Sequence, residues 1–307
     1  MSELLSIYRH ALTARLVDER LDVLARGERI ALHPGSQRAE VAIVAATAAL
    51  GESDWVFPTA RDHAASLARG VEVGSYLAHV IGGASDPLVG HATPGAFCSR
   101  EKKIAPPTGQ LSQHLTQAMG IAWAMRLRKD PSCVLTFLPE TAAEAGDFHS
   151  AVNFAGATKA PIVFVVRTDG SEAPAPAVEI VDKGIAYGVT AVEVSGEPLA
   201  VLAATREAVA RARGGEGPTL LEVRLAGEEG KDPLEALRQR LIADGALDES
   251  SDMHHRRERM GEIEAAIVAA IDAGAPALET IFEHVTAEPG PHLIRQRDEL
   301  RSVYEAS

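Results

Sequence analysis

Apolar positions recur along this chain with two different spacings, and the alternation between them outlines a fold. Over residues 4–26 apolar side chains return every third or fourth position and stop before Gly27, the spacing of a helix that presents one face to a core. Residues 40–50 repeat that pattern and are closed by Gly51. The run over residues 133–138 is instead continuously apolar and β-rich, breaks at Pro139-Glu140, and feeds an alanine-rich segment with helical spacing at Phe148, Val152 and Ala155. Residues 161–166 then form a second continuous apolar run, so that the whole reads as a βαβ unit. Strand-like residues 191–194, a helix over 198–213 and a strand over 219–225 extend the alternation. From residue 232 onward the chain reads as helical.

This pattern predicts an α/β fold: a mainly parallel sheet with helices on both faces, followed by a helical C-terminal extension. A helix over residues 112–129 leads into the βαβ unit. Ahead of it, residues 82–111 are rich in Gly, Pro and Ser and carry little periodicity, a long loop of the kind that compact domains keep for function. Parallel sheets bind ligands beyond the carboxyl ends of their strands, because helix N-termini and short loops converge there. Here those ends are Pro139-Glu140-Thr141 and Arg167-Thr168-Asp169-Gly170. Each acid also has a local reading: Glu140 suits a helix N-terminus, where the dipole favours negative charge, and Asp169 suits an Asp-Gly turn.

Composition narrows the partners. The net charge of −13 argues against nucleic acid or an anionic membrane, both of which call for a basic surface. The basic knot His254-His255-Arg256-Arg257 is followed by Glu258, Glu262 and Glu264 and reads as a solvated helix face. Cys98 and Cys133 are the only cysteines and have neither metal-ligand nor redox spacing, which fits a cytoplasmic protein. No apolar run reaches transmembrane length, and the amino terminus lacks a signal-peptide core.

Several segments, in order, resemble the alpha subunit of the thiamine diphosphate-dependent 2-oxo acid dehydrogenases, the decarboxylating component of the branched-chain and pyruvate complexes. They are Asp54-Trp55-Val56-Phe57-Pro58-Thr59-Ala60-Arg61-Asp62-His63, Gln117-Ala118-Met119-Gly120, Gly146-Asp147-Phe148-His149, Asn153-Phe154-Ala155-Gly156, and Pro291-His292-Leu293 with Gln296-Arg297. The resemblance implies a thiamine diphosphate-binding-fold domain over residues 1–230, with 231–307 as a helical extension of the same domain. It implies Mg²⁺ ligands at Glu140 and Asp169. It implies cofactor contacts from Arg61 and Arg167 to the diphosphate, and from Gly109 and Leu111 in the loop ahead of Gln117. A beta subunit, or a second copy of the chain in a homodimer, is the implied partner.

The chain also departs from that family's pattern. Pro139-Glu140-Thr141 stands for Gly-Asp-Gly, Thr168-Asp169-Gly170 for Asn-Asn-Gly, Ala60 for a tyrosine lining the pocket, and Ala96 for a histidine. Arg38-Ala39 precedes Glu40 where the family has Gly-Gln. Ala226-Gly227-Glu228-Glu229-Gly230 runs straight to Lys231 where the family has a Gly-His-Ser-Thr-Ser-Asp-Asp loop, whose histidine serves the acylation step. Proline removes an N–H, and a branched threonine obstructs the close backbone approach that glycine allows. Three functions follow: an alpha-type component with a degenerate cofactor site, a catalytically inactive paralogue acting as a structural or regulatory subunit, or a pocket redirected to another small anion through Arg61 and Arg167. In a vacated pocket the arginines would instead pair with Asp62, Glu140 or Asp169. His63 is expected to be structural, bonded to a loop carbonyl, and His149 to serve packing or a subunit contact. Gly146, Ala151, Ala155, Gly156 and Ala157 predict an oligomer through close helix approach.

Overall fold

The structure, a computed structural model, describes residues 2–31, 33–36, 38–168, 178–225 and 232–305. In chain order the elements are α1 (Ser2–Arg26), α2 (Glu40–Thr47), β1 (Trp55–Phe57), α3 (His63–Ala68), α4 (Val73–Ile81) and α5 (Gln113–Arg128). There follow β2 (Val134–Pro139), a 3₁₀ turn (Glu140–Glu144), α6 (Gly146–Thr158), β3 (Ile162–Thr168), α7 (Ile180–Ala186), β4 (Thr190–Ser195), α8 (Pro198–Arg213) and β5 (Thr219–Arg224). The chain closes with α9 (Pro233–Ala243), α10 (Glu249–Asp272), a 3₁₀ turn (Leu278–Ile281) and α11 (Pro291–Glu305).

The five strands form one parallel sheet in the order β1-β2-β3-β5-β4. Because successive side chains of a strand point to opposite faces, each strand feeds two cores. Cys133, Leu135, Phe137, Val163, Val165, Leu221 and Val223 pack with α1, α2 and α8 on one face. Val134, Leu138, Ile162, Phe164, Val166 and Leu220 pack with α5 and α6 on the other. That double burial is why β2 and β3 are continuously apolar in sequence. β4 lies at the edge, largely exposed, with Glu193 paired to Arg224 of β5 at 2.7 Å.

The expected strands and helices are present, with differences in detail. β1 has no periodic signal, since three residues are too few to show one; it is held by its register on β2 and by Val56 N–H donating to Lys103 O at 2.9 Å. The long loop therefore returns to the sheet through Ile104, bridged to both Val56 and Ser99. The helix expected over residues 40–50 stops at Thr47. Its last turn tightens as Ala49 and Leu50 bond back three residues, and Gly51 is held by its own contacts to Asp54 and Arg69.

Three of the five small residues named for α6 pack inside the chain. Ala151 and Ala155 are buried in the α5–α6 core. A Cβ on Gly156 would stand 2.1 Å from Tyr187 O, so this glycine is required where α6 passes the end of α7. Ala151, Ala155 and Gly156 thus make close contacts within the chain, while Gly146 and Ala157 are exposed. Phe154 and Ala157, with Ile121, Trp123 and Leu127 of α5, are among the residues that the α5–α6 layer exposes.

Candidate functional site

The carboxyl ends of β1, β2 and β3 lie side by side, with Pro139 of β2 in register with Arg167 of β3. The turn after β1 brings Thr59, Arg61 and Asp62 over these tips. Asp62 is fully buried and caps the start of α3 through its backbone carbonyl, which accepts from Ala65 N–H at 2.8 Å. Its carboxylate accepts from Thr59 N–H at 2.8 Å and from Thr59 Oγ1 at 2.5 Å. Arg167 closes the network: its Nε lies 3.0 Å from Asp62 Oδ1, and its Nη2 reaches Asp62 Oδ2 and Thr59 Oγ1, each at 3.4 Å. The Arg167 side chain is only 7% exposed. Of the partners named for it from sequence, Asp62 is one that it meets; Asp169 lies outside the described residues.

His114, in the first turn of α5, completes the floor. Its Nε2 is 2.8 Å from Phe137 O, and because a carbonyl only accepts, Nε2 carries the hydrogen. Burial pushes its pKa down, with the Phe137 bond and Asp62 opposing and Arg167 adding to the fall. The imidazole is accordingly a neutral donor that ties α5 to the end of β2.

The family model described as dehydrogenase E1 component matches residues 8–225. The alpha subunit of 2-oxoisovalerate dehydrogenase from Bacillus subtilis is 34% identical over 229 residues, covering 72% of this chain and 69% of its own. This chain belongs to the dehydrogenase E1 component family. The alpha subunit of the pyruvate dehydrogenase E1 component from the same organism is 28% identical across 99% of this chain and 87% of its own. The alpha subunit of 3-methyl-2-oxobutanoate dehydrogenase from Mycobacterium tuberculosis is 33% identical across 70% of this chain and 58% of its own. Among solved structures, a benzoylformate decarboxylase from Polynucleobacter necessarius aligns with 61% of this chain and 33% of its own at TM-score 0.39 and 13% identity, a likeness too partial to bear on function.

In this E1-family chain the other site residues read from sequence lie in several places. Arg61 is half-buried; its backbone N–H is 3.2 Å from Thr59 Oγ1, and its guanidinium has no hydrogen bond or ion pair among the described residues. Glu140 is buried and heads the 3₁₀ turn that leaves β2. Gly109 and Leu111 are exposed, Leu111 at 51%, immediately before Ser112, which takes a left-handed conformation to start α5. Asp169 and Gly170, and the segment 226–231, lie outside the described residues.

Two features went unread in the sequence. Glu40 is fully buried and pairs with Arg15 of α1, whose guanidinium also holds Asp232 at 2.6 Å ahead of α9. His63 does not bond a loop carbonyl: its Nε2 faces Asp18 Oδ1 at 3.3 Å and Ala14 O at 3.5 Å, both on α1. The available signal was the acid Asp18 inside the buried stretch of α1, between Val17 and Leu21. His149 bonds within the chain, its Nδ1 3.0 Å from Tyr187 Oη.

Proposed function

We propose that the chain is an alpha-type component of a thiamine diphosphate-dependent 2-oxo acid dehydrogenase that works beside a beta subunit, and that its own half of the cofactor site is degenerate. Membership of the E1 family supports the alpha-type role. The branched-chain and pyruvate enzymes among its relatives support a short or branched 2-oxo acid as the substrate class of the assembly. Residues 231–307 serve as an extension of the one domain, and the compartment is cytoplasmic; among the described residues no helix is long and apolar enough to cross a membrane.

The observation that carries the degenerate-site reading is the Asp62–Arg167 pair. A diphosphate calls for guanidiniums that can present two N–H groups to it, and Arg167 turns its guanidinium to Asp62 instead, through an Nη2 hydrogen bond at 3.4 Å and an Nε–Oδ1 ion-pair contact at 3.0 Å that is not aligned as a hydrogen bond. Pro139 brings no N–H to the β2 tip, and Thr141 adds a branched side chain beside it. Glu140 is an oxygen donor suited to Mg²⁺, and the Arg61 guanidinium has no partner among the described residues, yet the tip as it stands does not fit a diphosphate. No catalytic step is therefore routed through this chain. The same observation favours the second reading, a catalytically inactive paralogue acting as a structural or regulatory subunit.

Calorimetric titration with thiamine diphosphate and Mg²⁺, alone and with a candidate beta subunit, separates these. Weak or absent binding by the isolated chain is expected. Restoring the tips together (Pro139→Gly, Glu140→Asp, Thr141→Gly, Thr168→Asn, Asp169→Asn) should recover part of the binding through Arg61, without activity. Micromolar binding by the unmodified chain would refute the degenerate site. Decarboxylation of a 2-oxo acid on mixing with the beta subunit would refute inactivity.

A further inference from the structure

Asp18 of α1, His33 of the following loop and His63 at the start of α3 converge, with one ligand atom of each lying within 4.8 Å of the others. His33 Nε2 is 2.5 Å from Asp18 Oδ1, and His63 Nε2 is 3.3 Å from the same oxygen. The three side chains are 13, 3 and 2% exposed in that order. One carboxylate oxygen thus faces two imidazole nitrogens in a nearly dry enclosure. The other, Oδ2, accepts from Ser36 N–H at 2.9 Å and from Ser36 Oγ, which fixes the carboxylate so that Oδ1 points at both rings.

Hydrogen bonding within the cluster does not satisfy it. Asp18 Oδ1 has a hydrogen bond from His33, but His63 is left with a 3.3 Å contact to that oxygen and a 3.5 Å contact to a carbonyl. Its Nδ1 is buried with no hydrogen-bond partner among the described residues. That nitrogen is not the one turned toward Asp18, so it is Nε2, with its two long contacts, that points to a ligand. Two imidazoles and a carboxylate are a donor set that divalent first-row metals take, with a solvent molecule as the fourth ligand. Ligand bonds of about 2.0–2.2 Å place the donors of a tetrahedral zinc site roughly 3.3–3.5 Å apart. The observed spacing reaches that with side-chain shifts of about an ångström.

We propose that Asp18, His33 and His63 form a transition-metal site that takes Zn²⁺, with Ser36 orienting the carboxylate from behind. The site ties α1 to the turn that carries Arg61 and Asp62, and it is independent of thiamine diphosphate.

The whole chain, stripped with chelator, is titrated with Zn²⁺ against a chromophoric competitor and with Co²⁺ followed by visible absorption. A single equivalent of each ion is expected, with a tetrahedral ligand-field spectrum for Co²⁺ and a rise in melting temperature with Zn²⁺, because an ion that binds only the folded state stabilises it. His33→Asn and His63→Asn should each weaken Zn²⁺ at least about tenfold and Ser36→Ala by less, while the distant His255→Asn has no effect. Affinity weaker than about 10 µM, or affinity indifferent to both histidine variants, overturns the proposal. Should the variants fail to fold, the unmodified chain still decides: Co²⁺ absorption like that of the aquo ion overturns the site.

Discussion

Asp62 and Arg167 are both buried, and a charge left without its partner in such a place is costly. Asp62→Asn should therefore lower stability by about 3 kcal/mol, read as a shifted urea midpoint at unchanged slope, whereas Asp62→Leu with Arg167→Met should lose less. The single variant also frees Arg167, so measurable affinity for pyrophosphate in Asp62→Asn, absent from the parent, would show that this pair is what blocks the tip. His114 gives the molecule a pH dependence. Its folded pKa lies below its ordinary value of 6.5, so below that value the unfolded chain takes up a proton that the folded chain refuses. Stability then rises with pH through this interval and falls as the pH drops beneath about 6.5. The urea midpoint should decline from pH 7.5 to pH 5, and less steeply in His114→Gln; identical slopes would remove His114 as a cause.

At the scale of elements, two glycines on neighbouring helices make opposite demands. Gly156→Ala drives a methyl group into the Tyr187 carbonyl, a contact that backbone must move to relieve, and should destabilise by at least about 2 kcal/mol. Gly120, inside α5, has open space around its would-be Cβ, so Gly120→Ala should stabilise the isolated chain by about 0.5–1 kcal/mol through helix propensity. Thermal melts of the two variants test the pair. A similar response from both would mean that α6 and α7 do not pass as closely as described. The elements that were legible from sequence, β2, β3 and β5, are buried over nearly their whole length, which leaves an uninterrupted apolar run. β1 and α7 were not legible, because three- and seven-residue elements complete too few turns or alternations for a period to emerge.

For the molecule as a whole, the C-terminal end stands out. α10 packs along α4 and contributes Ile263 and Ile267 to the core, but α11 has no buried residue. A fifteen-residue helix with so little support is marginal in water, yet this one carries Val303 and Tyr304 outward, with Ile281 and Val285 exposed just ahead of it. Packing on another chain would supply the missing support. Removing residues 278–307 should leave the melting temperature of the isolated chain within about 2 °C while lowering the assembled mass seen by light scattering with a beta subunit, or with itself. An unchanged mass would move the interface to the exposed face of α5 and α6.

Sequence by itself determined the parallel α/β class, the central strands and the turns at which a site would form, because hydrophobic period is a local property that burial on two faces writes directly into the chain. It also put Glu140 and Arg167 at the strand tips, whereas Arg61 was singled out by the family resemblance. What it left open was which charge each would meet. Asp62 and Arg167 are 105 positions apart, and Asp18 and His63 belong to elements whose contact depends on how α1 crosses the sheet. Pairing of buried polar groups follows from the packing of whole elements, so only the tertiary structure decided that Arg167 is held by Asp62, that α6 keeps its glycine for Tyr187, and that two histidines share one carboxylate.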